Sequence, residues 1–468
     1  MSLEAHGARP FPTMHELAVR HGRLITPYGP VLADLAIDRG RIAAIGKNLN
    51  ASHTIDASGC LVLPGGVDCH VHLQMQLNGL TSTDSFETGT VAAACGGTTT
   101  VIDFVDPQPG QSLMDALRAR RAEADGSAAV DYGLHMTVPA WHAASPEALR
   151  EIPAALAAGC ATFKLYQAYE RMMLDDVALG NVMRAVATAG GGVVLHSETG
   201  PLIDALRSDA VAAGHSAPIW HERTRPAGLE ASAVQRAAEI AALADCPLHI
   251  FHVGADSALA AVNAARAKGY DITAETCPHY LLLTAGQYLT RADGHLFICA
   301  PPLRWAADKH AMWQGLSDGG LDAVSTDHCP WTRAEKSKAS FSEVPGGLPG
   351  IESRLSLVHH FGVNEQDLAL TSRVSACCTA PARRMGIQDR GALQPGLVAD
   401  IVIFDPKRVK TLRAATLHEA ADWSPFEGMR IEGWPRTVLQ RGELLVRDEE
   451  FIACPGNGRY LHRTLAAS

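Results

Sequence analysis

The sequence predicts an α/β protein, a (β/α)8 TIM barrel that carries a small β-sandwich domain formed from both chain termini. Three observations predict it. The middle of the chain alternates short apolar runs with Ala-rich segments of helical period, the pattern of parallel βα units. Both ends have a different texture, short runs broken by turn pairs, which reads as a β-meander. The 468 residues also exceed one ordinary core, since single cores stop growing near about 250 to 300 residues.

Taken in order, Glu16 to Leu63 holds Leu17 to Val19, Leu24-Ile25, Leu35 to Ile37 and Ile42 to Ile45, separated by turn pairs such as Gly22-Arg23 and Arg39-Gly40. The texture returns after Gly396 in Ala399 to Phe404, Thr437 to Leu439 and Glu443 to Val446, with Arg441-Gly442 as a hairpin turn. Residues 14–64 and 391–468 are therefore assigned to the small domain and 65–390 to the barrel.

Eight strand candidates lie between: Val67 to His72, Thr98 to Phe104, Val130 to Val138, Cys160 to Tyr166, Val193 to His196, Leu248 to Val253, Asp271 to Thr276 and Leu321 to Asp327. Helical segments follow them at Phe86 to Cys95, Leu113 to Ala124, Pro146 to Ala158, Leu229 to Ala244 and Ala258 to Lys268. Eight units over about 300 residues suit a barrel with insertions. An open doubly wound sheet would carry a Gly-rich phosphate turn after its first strand, whereas Pro64-Gly65-Gly66 precedes one.

The formal charge of -10 is spread along the chain without an acidic tail or basic block, which excludes nucleic acid and anionic membranes as expected partners. Eleven cysteines, odd in number and without a C-x-x-C pair, indicate neither a disulfide framework nor a thiolate zinc site. Met1 to Thr13 lacks the apolar core of a signal peptide, and no apolar run approaches the roughly 18 residues of a membrane span. The expectation is a soluble, cytoplasmic protein.

The sharpest chemical signal is His70-Val71-His72 at the end of the first barrel strand. Side chains two apart on a strand share a face, so both imidazoles can meet one metal, although surface or core histidines are the plainer alternative for such a pair alone. Barrel enzymes build their sites at the C-terminal ends of strands, and other ligand types fall there too. Lys164 lies near the end of the fourth strand, His196 ends the fifth, His252 lies near the end of the sixth, and Asp327 ends the eighth.

An ammonium has no lone pair, so Lys164 fits a metal site only if burial removes its proton. The free amine can then add carbon dioxide, giving a carbamate whose two oxygens suit bridging two cations. The other reading is a lysine ion-paired to Asp327 or Glu275 inside the barrel.

The chain resembles the dihydropyrimidinase, hydantoinase and allantoinase branch of the amidohydrolase superfamily. The resemblance runs nearly end to end. It rests on Gly65-Gly66-Val67-Asp68-Cys69-His70-Val71-His72, on Phe86-Glu87-Thr88-Gly89-Thr90 leading to Gly96-Gly97-Thr98-Thr99-Thr100, and on Phe163-Lys164 with Ala168-Tyr169. Glu275 to Leu281, Pro301-Pro302-Leu303-Arg304 and Thr326-Asp327-His328-Cys329-Pro330 complete it.

The resemblance implies that His70, His72 and Asp327 bind a first divalent metal, that His196 and His252 bind a second, and that Lys164, as N6-carboxylysine, bridges them. Zinc suits these nitrogen and oxygen ligands best; manganese, cobalt and iron fit the same cage. It further implies attack of a metal-bridging hydroxide on the ring carbonyl of a 5,6-dihydropyrimidine or 5-substituted hydantoin, giving the N-carbamoyl amino acid. Asp327 shuttles the proton and Tyr169 donates to the oxyanion. Main-chain groups at Ala300 and Gly346 hold the imide edge where serine and asparagine are common in the family. Leu77, Tyr166 and Met173 match positions that contact the exocyclic substituent, although simple loop packing explains them as well.

Allantoinase is the nearest alternative activity. Dihydroorotases carry an arginine two residues after the second histidine, where this chain has Gln74. A non-catalytic assembly protein of the same fold is the reading from another class. The resemblance also implies a homotetramer or homodimer. Cys69, Val71 and His328 are expected to face the helix layer, and His215, His221, His279, His359 and His360 to be loop or packing residues.

Overall fold

The computed structural model describes residues 14–465; Met1 to Thr13 lies outside the described residues. All eight expected barrel strands are present, at Gly66–Asp68, Thr98–Val105, Asp131–Thr137, Thr162–Tyr166, Gly192–His196, Leu248–Ile250, Ile272–Thr276 and Ala323–Val324. Each pairs in parallel with the next. Most are buried at every position, as parallel strands covered on both faces must be.

The eighth strand has two residues and the first has three, so the ring closes by other means. Val71 and His328 form an isolated parallel bridge. Thr326 donates its N–H and Oγ1–H to Asp68 at 3.0 and 2.7 Å. Arg354, fully buried, spans the seam by donating to the carbonyls of Val67 and Val324 at 2.9 and 2.7 Å.

Helices Phe86–Cys95 and Leu113–Ala124 match their expected spans. Pro146 to Ala158 is broken into Pro146–Leu149 and Ile152–Ala157. Helices Asp176–Thr188, Gly200–Ala212 and Ala306–Asp318 were not anticipated.

Inside the barrel, Val67, Cys69, Ile102, Phe104, Val194 and Phe251 form an apolar floor, closed beneath by Ala382, Met385, Ile387 and Leu461. Cys69 thus corrects an expectation. Its thiol donates to Glu275 Oε2 at 3.0 Å within the barrel, because Cys69 shares the inward face of Val67 and the alternation breaks only at His70, which also turns inward to Glu275. Val71 and His328 do face outward, the first in the large hydrophobic cluster that also holds Leu73 and Phe86 and the second 3.0 Å from Asp84.

The small domain has a four-stranded sheet, ordered Arg41–Gly46, Asp34–Asp38, His15–Arg20, Ala51–Asp56, and a seven-stranded sheet. In the larger sheet Leu61–Pro64 lies between Ile401–Thr411 and Arg23–Thr26, so both chain ends share one ladder. Val19, Leu35, Ile37, Val62, Ile401, Ile403 and Leu439 make its core. Residues 456–465 run beneath the barrel, bonded to Ala128, Tyr132, Gly159 and Gly386.

Candidate active site

At the C-terminal mouth, three acceptor atoms converge. His70 Nε2 and His72 Nε2 are 3.2 Å apart, and Asp327 Oδ1 lies 3.1 and 3.2 Å from them. Ligands held at about 2.0–2.1 Å by a tetrahedral ion lie about 3.3 Å from one another. The three donors therefore fit one divalent cation. Facing ring nitrogens are otherwise a poor contact, since two lone pairs repel.

Glu275 sets this geometry from below. Its Oε1 accepts the Nδ1–H of His70 at 2.8 Å, leaving the Nε2 lone pair free for a ligand. His249 Nε2 lies 3.2 Å from the other oxygen.

A second pair stands beside the first. His196 Nδ1 and His252 Nε2 are 3.0 Å apart. Burial holds both imidazoles below their ordinary pKa, and metal binding needs them neutral. His196 Nε2–H donates to Glu198 at 2.9 Å, and Arg225 donates to the same carboxylate. Glu230 accepts the Gly254 N–H, just past His252, at 3.0 Å and pairs with Arg304 at 2.8 Å.

Lys164, in the strand Thr162–Tyr166, is 1% exposed. Its Nζ is 4.3 Å from the Phe251 ring centre, 4.8 Å from Tyr166 and 5.5 Å from Phe104. Burial pulls its pKa down to about 7 against the attraction of Asp327 and Glu275. Among the described residues it forms no ion pair with either carboxylate, the arrangement the plainer reading required.

Tyr169 stands at the rim, 37% exposed, with its ring centre 4.9 Å from that of His196. Burial of its inner side pushes the phenol up, so it remains a donor. Tyr166 is turned inward, over Lys164 and 6.0 Å from His196. Met173 is half-buried, with its sulfur against Gly200. Leu77 lies in the short hairpin of Gln76–Leu77 and Leu80–Thr81.

Gly346 and Ala300 come from segments packed together, a Cβ on Gly346 being 4.0 Å from Cys299 Cα. The Gly346 carbonyl accepts the Trp331 indole N–H at 2.8 Å. Gln74 faces away from any substrate role, its Oε1 accepting the Phe86 N–H at 2.9 Å.

Four of these residues have left-handed backbone, Gln74 at φ 50°, Tyr169 at φ 70°, His252 at φ 42° and Asp327 at φ 49°. Such conformations cost about 1–3 kcal/mol each away from glycine and concentrate where a side chain must be aimed.

The chain belongs to the amidohydrolase family, which it matches over residues 61–445. Within that family it is similar to D-hydantoinase of Streptomyces coelicolor, 39% identical across 95% of this chain and 97% of the relative. Its fold is that of the solved dihydropyrimidinase from Brevibacillus agri, with a TM-score of 0.93 at 36% identity over 96% of this chain and 99% of the other. L-hydantoinase (dihydropyrimidinase) from Arthrobacter aurescens superposes with a TM-score of 0.88 at 29% identity over 96% and 99%. The chain is thus a hydrolase of the hydantoinase and dihydropyrimidinase kind.

Sequence reasoning missed the supporting residues Glu198, Arg225 and Glu230. Glu198 had a usable signal, since it follows the strand-end His196 by two residues. Arg225 and Glu230, just before and inside helix Ala227–Leu243, lie far along the chain from His196 and had none.

Proposed function

We propose that this protein opens a cyclic amide ring, a 5,6-dihydropyrimidine or a 5-substituted hydantoin, to the N-carbamoyl amino acid. The observation that carries the reading is the paired donor set, His70, His72 and Asp327 beside His196 and His252, together with the buried Lys164, which forms no ion pair among the described residues.

His70, His72 and Asp327 would hold one divalent ion and His196 and His252 a second, with Lys164 as its carbamate supplying anionic oxygens to both; zinc suits the set best. Bound there, the ions supply Lewis acidity to the ring carbonyl and bring a water pKa down to about 7. Asp327 takes the proton that the attacking water gives up and returns it to the ring nitrogen as the C–N bond breaks. Tyr169 donates its phenolic proton to the carbonyl oxygen as charge develops there. Main-chain groups of Ala300 and Gly346 hold the imide edge, and Leu77, Tyr166 and Met173 border the ring substituent. The complete donor set favours catalysis over a scaffolding role.

The test is hydrolysis of dihydrouracil, hydantoin, 5-phenylhydantoin and allantoin by protein supplied with zinc and bicarbonate, beside a Lys164→Ala control. Turnover of a dihydropyrimidine or hydantoin, lost in the control, supports the reading. Turnover of allantoin alone transfers it to the allantoinase activity, and turnover of none sinks it.

A further inference from the structure

Lys336 has no exposed surface and no carboxylate partner among the described residues. Its Nζ donates to three main-chain carbonyls, Ile298 at 2.9 Å, Pro345 at 2.9 Å and Gly347 at 2.8 Å. Burial pulls its pKa down to about 7, and the carbonyls work in the opposite direction. Three simultaneous donations need three hydrogens, which only the ammonium has. The group is a buried cation solvated by peptide oxygens.

Those oxygens belong to the two segments that carry Ala300 and Gly346. Ile298 is two residues before Ala300, and its carbonyl also accepts the Gly347 N–H at 3.1 Å. Pro345 and Gly347 flank Gly346. Trp331 fixes the Gly346 carbonyl from another side. Gly347, at φ 132°, has its missing side chain replaced by the Cys329 carbonyl, which a Cβ would meet at 2.4 Å. The segment is therefore clamped on several sides, with a charge at the centre of the clamp.

The Pro345–Gly346 peptide shows what the charge does. Its carbonyl points at the ammonium, so in a trans peptide its N–H points away from it. That N–H has no acceptor among the described residues. A cation bound to the carbonyl end polarises the whole amide and makes the far N–H a stronger donor.

We propose that Lys336 is a positioning residue for substrate: it locks the Ala300 and Gly346 segments into one imide-binding edge and strengthens the Gly346 N–H as a donor to a ring carbonyl. The inference rests on the proposed ring-opening activity.

The test compares metal-loaded wild type with Lys336→Met and the milder Lys336→Gln, reading KM, kcat, metal content and the Kd of glutarimide, a cyclic imide without the urea nitrogen. The expected result for Lys336→Met is a rise of about tenfold in KM and in the glutarimide Kd, with kcat changed less than about threefold and two metals per chain retained. Lys336→Gln, which keeps donors for one or two of the carbonyls, should fall between. A purely structural role would lower the amount of active protein and leave KM in place. Unchanged KM in either folded variant overturns the proposal, as does failure of both to fold. If wild type opens none of the rings and binds no glutarimide, the ring-opening reading has failed and takes this one with it. If wild type is active and only the variants' KM is unmoved, the assignment of Lys336 fails alone.

Discussion

Glu198 accepts the Nε2–H of His196 at 2.9 Å, and this contact decides which nitrogen of the ring faces the site. With Nε2 protonated, the Nδ1 lone pair is left pointing at the His252 Nε2 that shares its ligand space. Burial raises the Glu198 carboxyl, but Arg225 and then His196 more than offset it and bring it to about 2, so the acceptor is ionised throughout the working range. Glu198→Gln keeps the shape and removes the charge. Loss of an outer carboxylate typically weakens a metal about 10- to 100-fold, and here the loss should fall on the His196–His252 ion. Metal analysis after dialysis against a weak chelator should give about one ion per chain rather than two; retention of both would show that His196 holds its tautomer without Glu198.

On the proposed carbamate, Lys164 would make reconstitution depend on both pH and carbon dioxide. Its pKa of about 7 is depressed from 10.5, first by burial, so the free amine dominates above about pH 7 and falls about tenfold per pH unit below it. Adding zinc to metal-free protein with bicarbonate should therefore restore activity readily at pH 8 and far more slowly at pH 6, and slowly at pH 8 if carbon dioxide is excluded. Recovery that ignored both variables would mean that the amine carries no carbamate.

Tyr169→Phe removes one hydroxyl from a rim position whose backbone, at φ 70°, aims the ring at His196. The hydroxyl has no bonding partner among the described residues, so it is available to a ligand. Losing a single oxyanion donor costs about 10² to 10³ in kcat. The variant should lose that much in kcat with KM and metal content near wild type; a change confined to KM would move Tyr169 from the oxyanion to substrate binding.

The barrel was legible because each strand announces itself as an apolar run, and the ends of those runs carried the ligand types. His70 and His72 were read as neighbours on a strand face. The strand in fact ends at Asp68, yet the Val71 to His328 bridge keeps the chain extended there and the two rings still meet. Cys69 faces inward with Val67 because the alternation breaks between Cys69 and His70, both of which bond Glu275. His252 and Asp327 owe their aim to left-handed backbone, which no period in the sequence displays. Lys336 and Arg463 were invisible for another reason. Lys336 donates only to main-chain carbonyls and Arg463 to two of them and the Thr162 hydroxyl, and carbonyls leave no mark on residue type.

Arg463 is the test of the tail that runs beneath the barrel. It is 1% exposed and has no carboxylate partner among the described residues. Its guanidinium donates to Thr162 Oγ1 at 3.0 Å, to the Met385 carbonyl at 2.9 Å and to the Leu134 carbonyl. Gly133 makes room for it, since a Cβ there would lie 2.8 Å from Arg463 Nε. Thr162 in turn meets His135 Nδ1 at 2.6 Å, and His135 Nε2 lies 3.0 Å from the Cys69 carbonyl, next to His70. Arg463→Ala leaves two buried carbonyls and a hydroxyl without their donor, at about 1–3 kcal/mol each if no water enters. Water reaching the vacated space recovers part of that, so the expected loss is roughly 2–5 kcal/mol. The variant should unfold at a clearly lower urea concentration. At 25 °C its KM and metal content should stay near wild type, because the bonds removed lie at the end of the barrel opposite the donor set. An unchanged urea midpoint would mean that the tail only rests on the barrel floor. A loss of metal at full stability would instead make the path from Arg463 through Thr162 and His135 to His70 a functional support of the first ligand strand.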